Sequence, residues 1–135
     1  MAEPTMAQVR AAMNAMIDKA METPNEPVAM AIVDSAGNLL AYQTMDNLRI
    51  FSRRHSLRKA HTSALMGLDS GENASRLHGQ GRNIADQGDP MMTYGTGGLV
   101  IMKDGVILGG IGVGGYPSGQ ADEDLSRVGL NAMNL

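Results

Sequence analysis

Met6, Val9, Met13, Met16, Ile17, Ala20 and Met21 recur at intervals of three and four residues, which predicts an amphipathic helix near the start. Thr5 stands where an N-cap belongs. Pro24 and Pro27 end the helix and force the chain into an extended conformation beyond it. The apolar runs Val28–Val33 and Leu39–Tyr42 flank Asp34-Ser35-Ala36-Gly37-Asn38, a β-hairpin pattern with glycine in the turn. From about Ile50 to Met66 the helical period returns. Phe51, Leu57, Ala60, Ala64 and Leu65 are its expected buried stripe, and Gly67 is its expected stop. Arg49, Arg53, Arg54, Arg58 and Lys59 make this helix strongly basic.

The stretch Asp69–Pro90 is polar and punctuated by glycine, with one short helix expected near Glu72–His78 and a loop after it. Lys103-Asp104-Gly105 is a hairpin turn between Leu99–Met102 and Val106–Val113. Gly109, Gly110 and Gly112 fall inside the second arm, where they mark the close approach of another backbone, a bend or a ligand. Ala121–Met133 predicts a last helix, with Asp122, Glu123 and Asp124 favourable in its first turn. The order helix, hairpin, helix, loop, hairpin, helix predicts an α+β fold, an antiparallel sheet covered by helices.

At 135 residues the chain is one domain, residues 1–135, and 43% apolar content is enough to bury a core. Aromatics are only 3%, so the core falls to aliphatics and 12 methionines, and base-stacking platforms are not expected. The lack of cysteine excludes disulfides, thiolate metal sites and a thiol nucleophile. A net charge of −3 argues against nucleic acid or an anionic membrane as partner. The longest apolar run, Gly97–Met102, is far short of the roughly 20 residues of a membrane span. No basic region followed by a continuous apolar stretch opens the chain, so the expected location is the cytoplasm.

The run Gly109–Gly115 invites a phosphate-loop reading. It sits in a hairpin arm rather than between a strand and a helix of a βαβ unit, and it lacks Gly-Lys-Ser/Thr. His55 and His61 lie six apart, about 240° around a helix, so they cannot share a metal from one face, and no metal site is expected. Arg54, Arg58 and His61 fall at i, i+4 and i+7 on one stripe, with Thr62 four beyond Arg58. Such a stripe either binds a carboxylate or propionate, or is a solvated face or subunit contact. No GxSxG elbow supports serine hydrolysis.

Taken together, Val28–Leu39, Arg58-Lys59-Ala60-His61-Thr62-Ser63-Ala64, Gly97-Gly98, Lys103-Asp104-Gly105, Gly109–Gly115 and Asp122-Glu123-Asp124 resemble the GlcG/HbpS family. This is the haem-degrading domain family, which includes the C-terminal domain of PduO-type proteins. The resemblance covers roughly residues 5 to 134. It implies a three-layer, profilin-like sandwich with an antiparallel sheet of about five strands, the fifth near Met91–Tyr94. It also implies a homo-oligomer, a dimer or higher, with pockets near the Lys-Ala helix and the Gly-Gly loop.

The residues and the resemblance support two functions. The first is small-molecule binding, with haem or a related tetrapyrrole as cofactor or ligand, held by Arg54, Arg58, His61, Thr62, Gly97 and Gly98. The second is a cofactor-independent lyase or isomerase acting on a small carboxylate-bearing metabolite. There Lys59 or His61 would be the acid or base, Arg58 the carboxylate clamp, and the Gly97 and Gly98 amides the stabilisers of negative charge. For assembly, Met6, Met13, Met16 and Gly112–Gly115 are the expected surfaces between subunits.

Overall fold

Local signals set the elements of the computed structural model, which describes residues 2–135. Helix α1 (Met6–Ala20) starts at a capping box: the Thr5 hydroxyl accepts from the Gln8 amide, and the Gln8 side chain accepts from the Thr5 amide. Strands β1 (Ala29–Asp34) and β2 (Leu39–Thr44) form the first hairpin. Its turn is held by Asp34, whose Oδ1 accepts from the amides of Ala36 and Asn38 at 2.9 Å each. Helix α2 (Ile50–Met66) ends at Gly67, which takes a left-handed φ of 66°. Helix α3 (Ser70–Gly79) and a 3₁₀ turn at Ile84–Gln87 come next. The second hairpin is β3 (Gly98–Lys103) and β4 (Val106–Gly114), turning through Asp104 and Gly105, both at positive φ. Helix α4 (Gly119–Ala132) closes the fold, capped by Ser118.

The sheet has four strands in the order β2-β1-β4-β3, antiparallel throughout. The expected fifth strand at Met91–Tyr94 does not form. The Thr93 amide bonds the Thr62 hydroxyl on α2 at 3.1 Å instead of a neighbouring strand. Alternation divides the sheet residues between two faces. Val28, Met30, Ile32, Ile101, Ile111 and Val113 meet α1 and α4 in the main core, together with Met13 and Met16. Ala31 and Val33 face the other way, toward Ala60 and Ala64 of α2. Met13 and Met16 are therefore core residues and not the intersubunit surface expected of them, and Gly112 and Gly114 lie buried beneath α2.

The inward face of α2 also differs from expectation. Phe51 is 59% exposed and Leu65 41%, while Ser52, Ser56, Lys59, Ala60, Thr62, Ser63 and Ala64 are buried. The reason is steric. A Cβ on Gly114 would stand 2.6 Å from the Ser52 carbonyl oxygen. One on Gly112 would collide with the Ser56 carbonyl, and one on Gly110 with the Ala60 carbonyl. The helix lies so low on β4 that only small side chains fit directly over these glycines; Phe51 and Leu65 turn outward, while Lys59 runs past the strand beneath the helix. Of the three sequence readings of these glycines, close approach of a backbone is the one realised.

Gly112→Ala is expected to lower the unfolding free energy by about 3 kcal/mol, because the new methyl meets helix backbone that cannot rotate away. Gly79→Ala, with nothing within 4 Å of its Cβ, should raise it by about 0.5 kcal/mol. Urea titrations of the two variants check this; equal midpoints would contradict the close approach.

Candidate functional site

Helix α2 carries chemistry on two sides. Its outer side holds the expected stripe: Arg54 is exposed, Arg58 half-buried, and His61 retains 15% side-chain exposure. Among the described residues neither guanidinium is in an ion pair. Exposed Ile50, Phe51 and Leu65 lie on the same outer side. His61 Nε2 sits 2.8 Å from Asp89 Oδ2. That hydrogen bond, and after it the Met91 amide on the same carboxylate, holds the Asp89 carboxyl below its ordinary value. The hairpin turn leans on the imidazole from the other direction, since a Cβ on Gly37 would lie 2.8 Å from His61 Nδ1.

Lys59 points the opposite way, two residues and about 200° from His61. Its ammonium is buried beneath the helix and donates to the Val113 carbonyl at 2.9 Å and to Asp122 Oδ2 at 2.7 Å. Asp122 Oδ1 accepts from the Tyr116 amide at 3.0 Å. Burial pushes the Asp122 carboxyl above its ordinary value, opposed by the Lys59 ammonium and the Tyr116 amide. One buried pair thus joins α2, β4 and the start of α4.

The other expected residues lie under the helix as well. The Thr62 hydroxyl accepts from the Thr93 amide. The Gly98 amide donates to Ser70 Oγ at 2.9 Å, and the Gly97 carbonyl accepts from Ser126 Oγ at 2.6 Å. The structure therefore brings Arg54, Arg58 and His61 together on one side of α2 and sets Lys59, Thr62, Gly97 and Gly98 on the other.

His55 and Asp122 complete the inner side, and sequence reasoning assigns neither of them to a site. His55 Nε2 lies 3.0 Å from the Thr93 hydroxyl, its ring stacks on Phe51 at 4.8 Å between centroids, and its buried Nδ1 has no partner. Burial lowers the His55 pKa, and the nearby Lys59 and Arg58 charges lower it further. A signal was available: on a helical wheel Lys59 falls among Ser52, Ser56 and Ser63, away from Arg54 and Arg58. A lysine on a small-residue face must be buried and so needs an anionic partner.

Above the ordinary histidine value of 6.5 both folded and unfolded chains carry neutral His55. As pH falls below it, the unfolded chain takes up the proton first, so stability declines until the folded-state pKa is also passed. Urea midpoints measured from pH 7.5 down to 5 should fall less steeply in His55→Gln than in the wild type. Parallel curves would show that His55 is not held neutral by the fold.

The family model "Haem degrading protein HbpS-like" matches residues 5–131. A Citrobacter freundii protein described as an uncharacterized 15.0 kDa protein in the dhaT-dhaS intergenic region is 31% identical over 117 residues, covering 82% of this chain and 79% of that one. The crystal structure of a double mutant of HbpS from Streptomyces reticuli superimposes with a TM-score of 0.85 at 29% identity, covering 97% of this chain and 87% of that one. The crystal structure of a PduOC–haem complex shares the fold at 22% identity and a TM-score of 0.85, covering 96% of this chain and 94% of that one. On a match that spans nearly its whole length, the chain belongs to the GlcG/HbpS family of HbpS-like proteins.

Proposed function

We propose that the protein binds haem or a related tetrapyrrole on the outer side of α2. The observation that carries this reading is the outer stripe on which exposed Arg54 and half-buried Arg58 stand with His61 beside exposed apolar side chains. The donor set fits such a ligand. Guanidiniums take propionate carboxylates bidentately, Ile50, Phe51 and Leu65 offer contact to a flat ring, and imidazole ligates iron. The haem-degrading description of the family and the haem complex of PduOC support the same ligand. Haem, when bound, supplies a redox-active iron.

In this reading Arg54 and Arg58 orient the ligand by its acid groups. Asp89 holds the His61 ring at Nε2 in the free protein, and His61 would hold the iron through that nitrogen only with the carboxylate moved aside. Thr62, Gly97 and Gly98 act from beneath: Thr62 anchors the Thr93 segment, and the glycines let α2 and α4 close over the sheet. Assembly belongs to the same proposal. Met6 is 87% exposed, and Leu39 and Leu40 on edge strand β2 are also uncovered, an apolar surface that a second copy would bury.

Titration of the purified protein with hemin should give a saturable Soret shift, weakened about tenfold in the Arg54→Gln/Arg58→Gln double variant. His61→Ala should move the band, whereas His55→Ala and His78→Ala should leave it in place. Absence of a saturable shift would remove the tetrapyrrole reading. Light scattering behind a sizing column should give at least twice the chain mass, and a value near 14.2 kDa would defeat the oligomer.

A further inference from the structure

The inner side of α2 opens onto a cavity of about 120 Å³, lined by Arg49, Ser52, His55, Lys59, Tyr116 and Asp122. Cavities that take cofactor-sized ligands run from about 300 Å³ upward, so this one has room for only a few non-hydrogen atoms, and haem is too large for it. Its polar groups are unevenly satisfied. The Lys59 ammonium, on a side chain only 5% exposed, has three N–H groups; two go to Val113 and Asp122, and the third has no acceptor among the described residues. Both Asp122 oxygens, by contrast, are engaged. Arg49 gives Nε to Ser52 Oγ at 3.1 Å and lies over the Phe51 ring at 5.6 Å, but its terminal NH₂ groups have no hydrogen-bond or ion-pair partner among the described residues. Helix α2 begins here without a side-chain cap, so the amides of its first turn are open too.

The cluster is thus rich in free donors and has no free carboxylate. Lys59 and Asp122 cancel each other's charge, leaving the single positive charge of Arg49. We infer that this cavity is a binding site for a small monocarboxylate, held by the Arg49 guanidinium and the third N–H of Lys59. A planar carboxylate matches the fork of arginine. A dianion such as phosphate would carry a second charge toward Asp122 with nothing to balance it. The site borders the outer side at Phe51 but uses none of Arg54, Arg58 or His61, so it does not depend on tetrapyrrole binding.

The chain has three histidines, so their imidazole signals can be followed individually by nitrogen-correlated NMR of the labelled protein. Sodium acetate and sodium pyruvate are titrated at constant ionic strength, with sodium phosphate as a parallel arm. The expected result is a saturable shift of the His55 imidazole with acetate or pyruvate, with His61 and His78 unmoved. Arg49→Gln, at an exposed position, should weaken that binding about tenfold. Lys59→Met should abolish it; where that variant does not fold, Arg49→Gln decides. No saturable shift of His55, equal saturation in Arg49→Gln, or a shift with phosphate alone overturns the proposal.

Discussion

The contact on which this molecule depends is the register between α2 and β4. Gly114, Gly112 and Gly110 meet the backbones of Ser52, Ser56 and Ala60 in turn, so strand and helix run in opposite directions and step together. Four helix residues rise about 6 Å. Two residues of an antiparallel strand advance about 6.8 Å. The two repeats are close enough for three successive contacts, and each requires the absence of a side chain on the strand and a small one on the helix. The usual cost of glycine inside a strand is offset by the backbone packing it permits.

This close seating makes the Lys59–Asp122 pair workable. Seated this low, the inner side of α2 brings the Lys59 ammonium to 2.9 Å from a strand carbonyl. Ionised groups removed from water are tolerated only with good geometry and further hydrogen bonds, and here the Val113 carbonyl and the Tyr116 amide supply them. Removing one partner of such a pair typically costs about 3–5 kcal/mol, because the other charge is left buried alone. Lys59 is in this sense part of the skeleton as well as the wall of a cavity.

Much of this architecture was legible in the sequence. The caps at Thr5 and Gly67, the turns at Asp34–Asn38 and Lys103–Gly105, and the span Ile50–Met66 are local signals, and the chain obeys them. What failed was the assumption that a buried helix face must be its most apolar one. Phe51 and Leu65 are apolar and face outward, while serines face inward, because the helix backbone rests directly on the opposing glycines. The stripe Arg54, Arg58 and His61 follows from helical period alone. The partners Asp89 of His61 and Asp122 of Lys59 lie 28 and 63 residues away, and no local pattern connects them. The expected strand at Met91–Tyr94 failed for a related reason: a hydroxyl on α2 took the amide that a neighbouring strand would have used.

Because the glycine steps hold α2 by its backbone and smallest side chains, the outer side of the helix has almost no part in holding the fold. Ile50 and Arg54, exposed on that side, can change in size and charge without disturbing the sheet beneath, whereas Ser56 and Ala60 have almost no latitude. Divergence on this scaffold has a direction built into it. A substitution on the exposed side meets mainly solvent, while one beneath the helix meets the backbone of a neighbouring element.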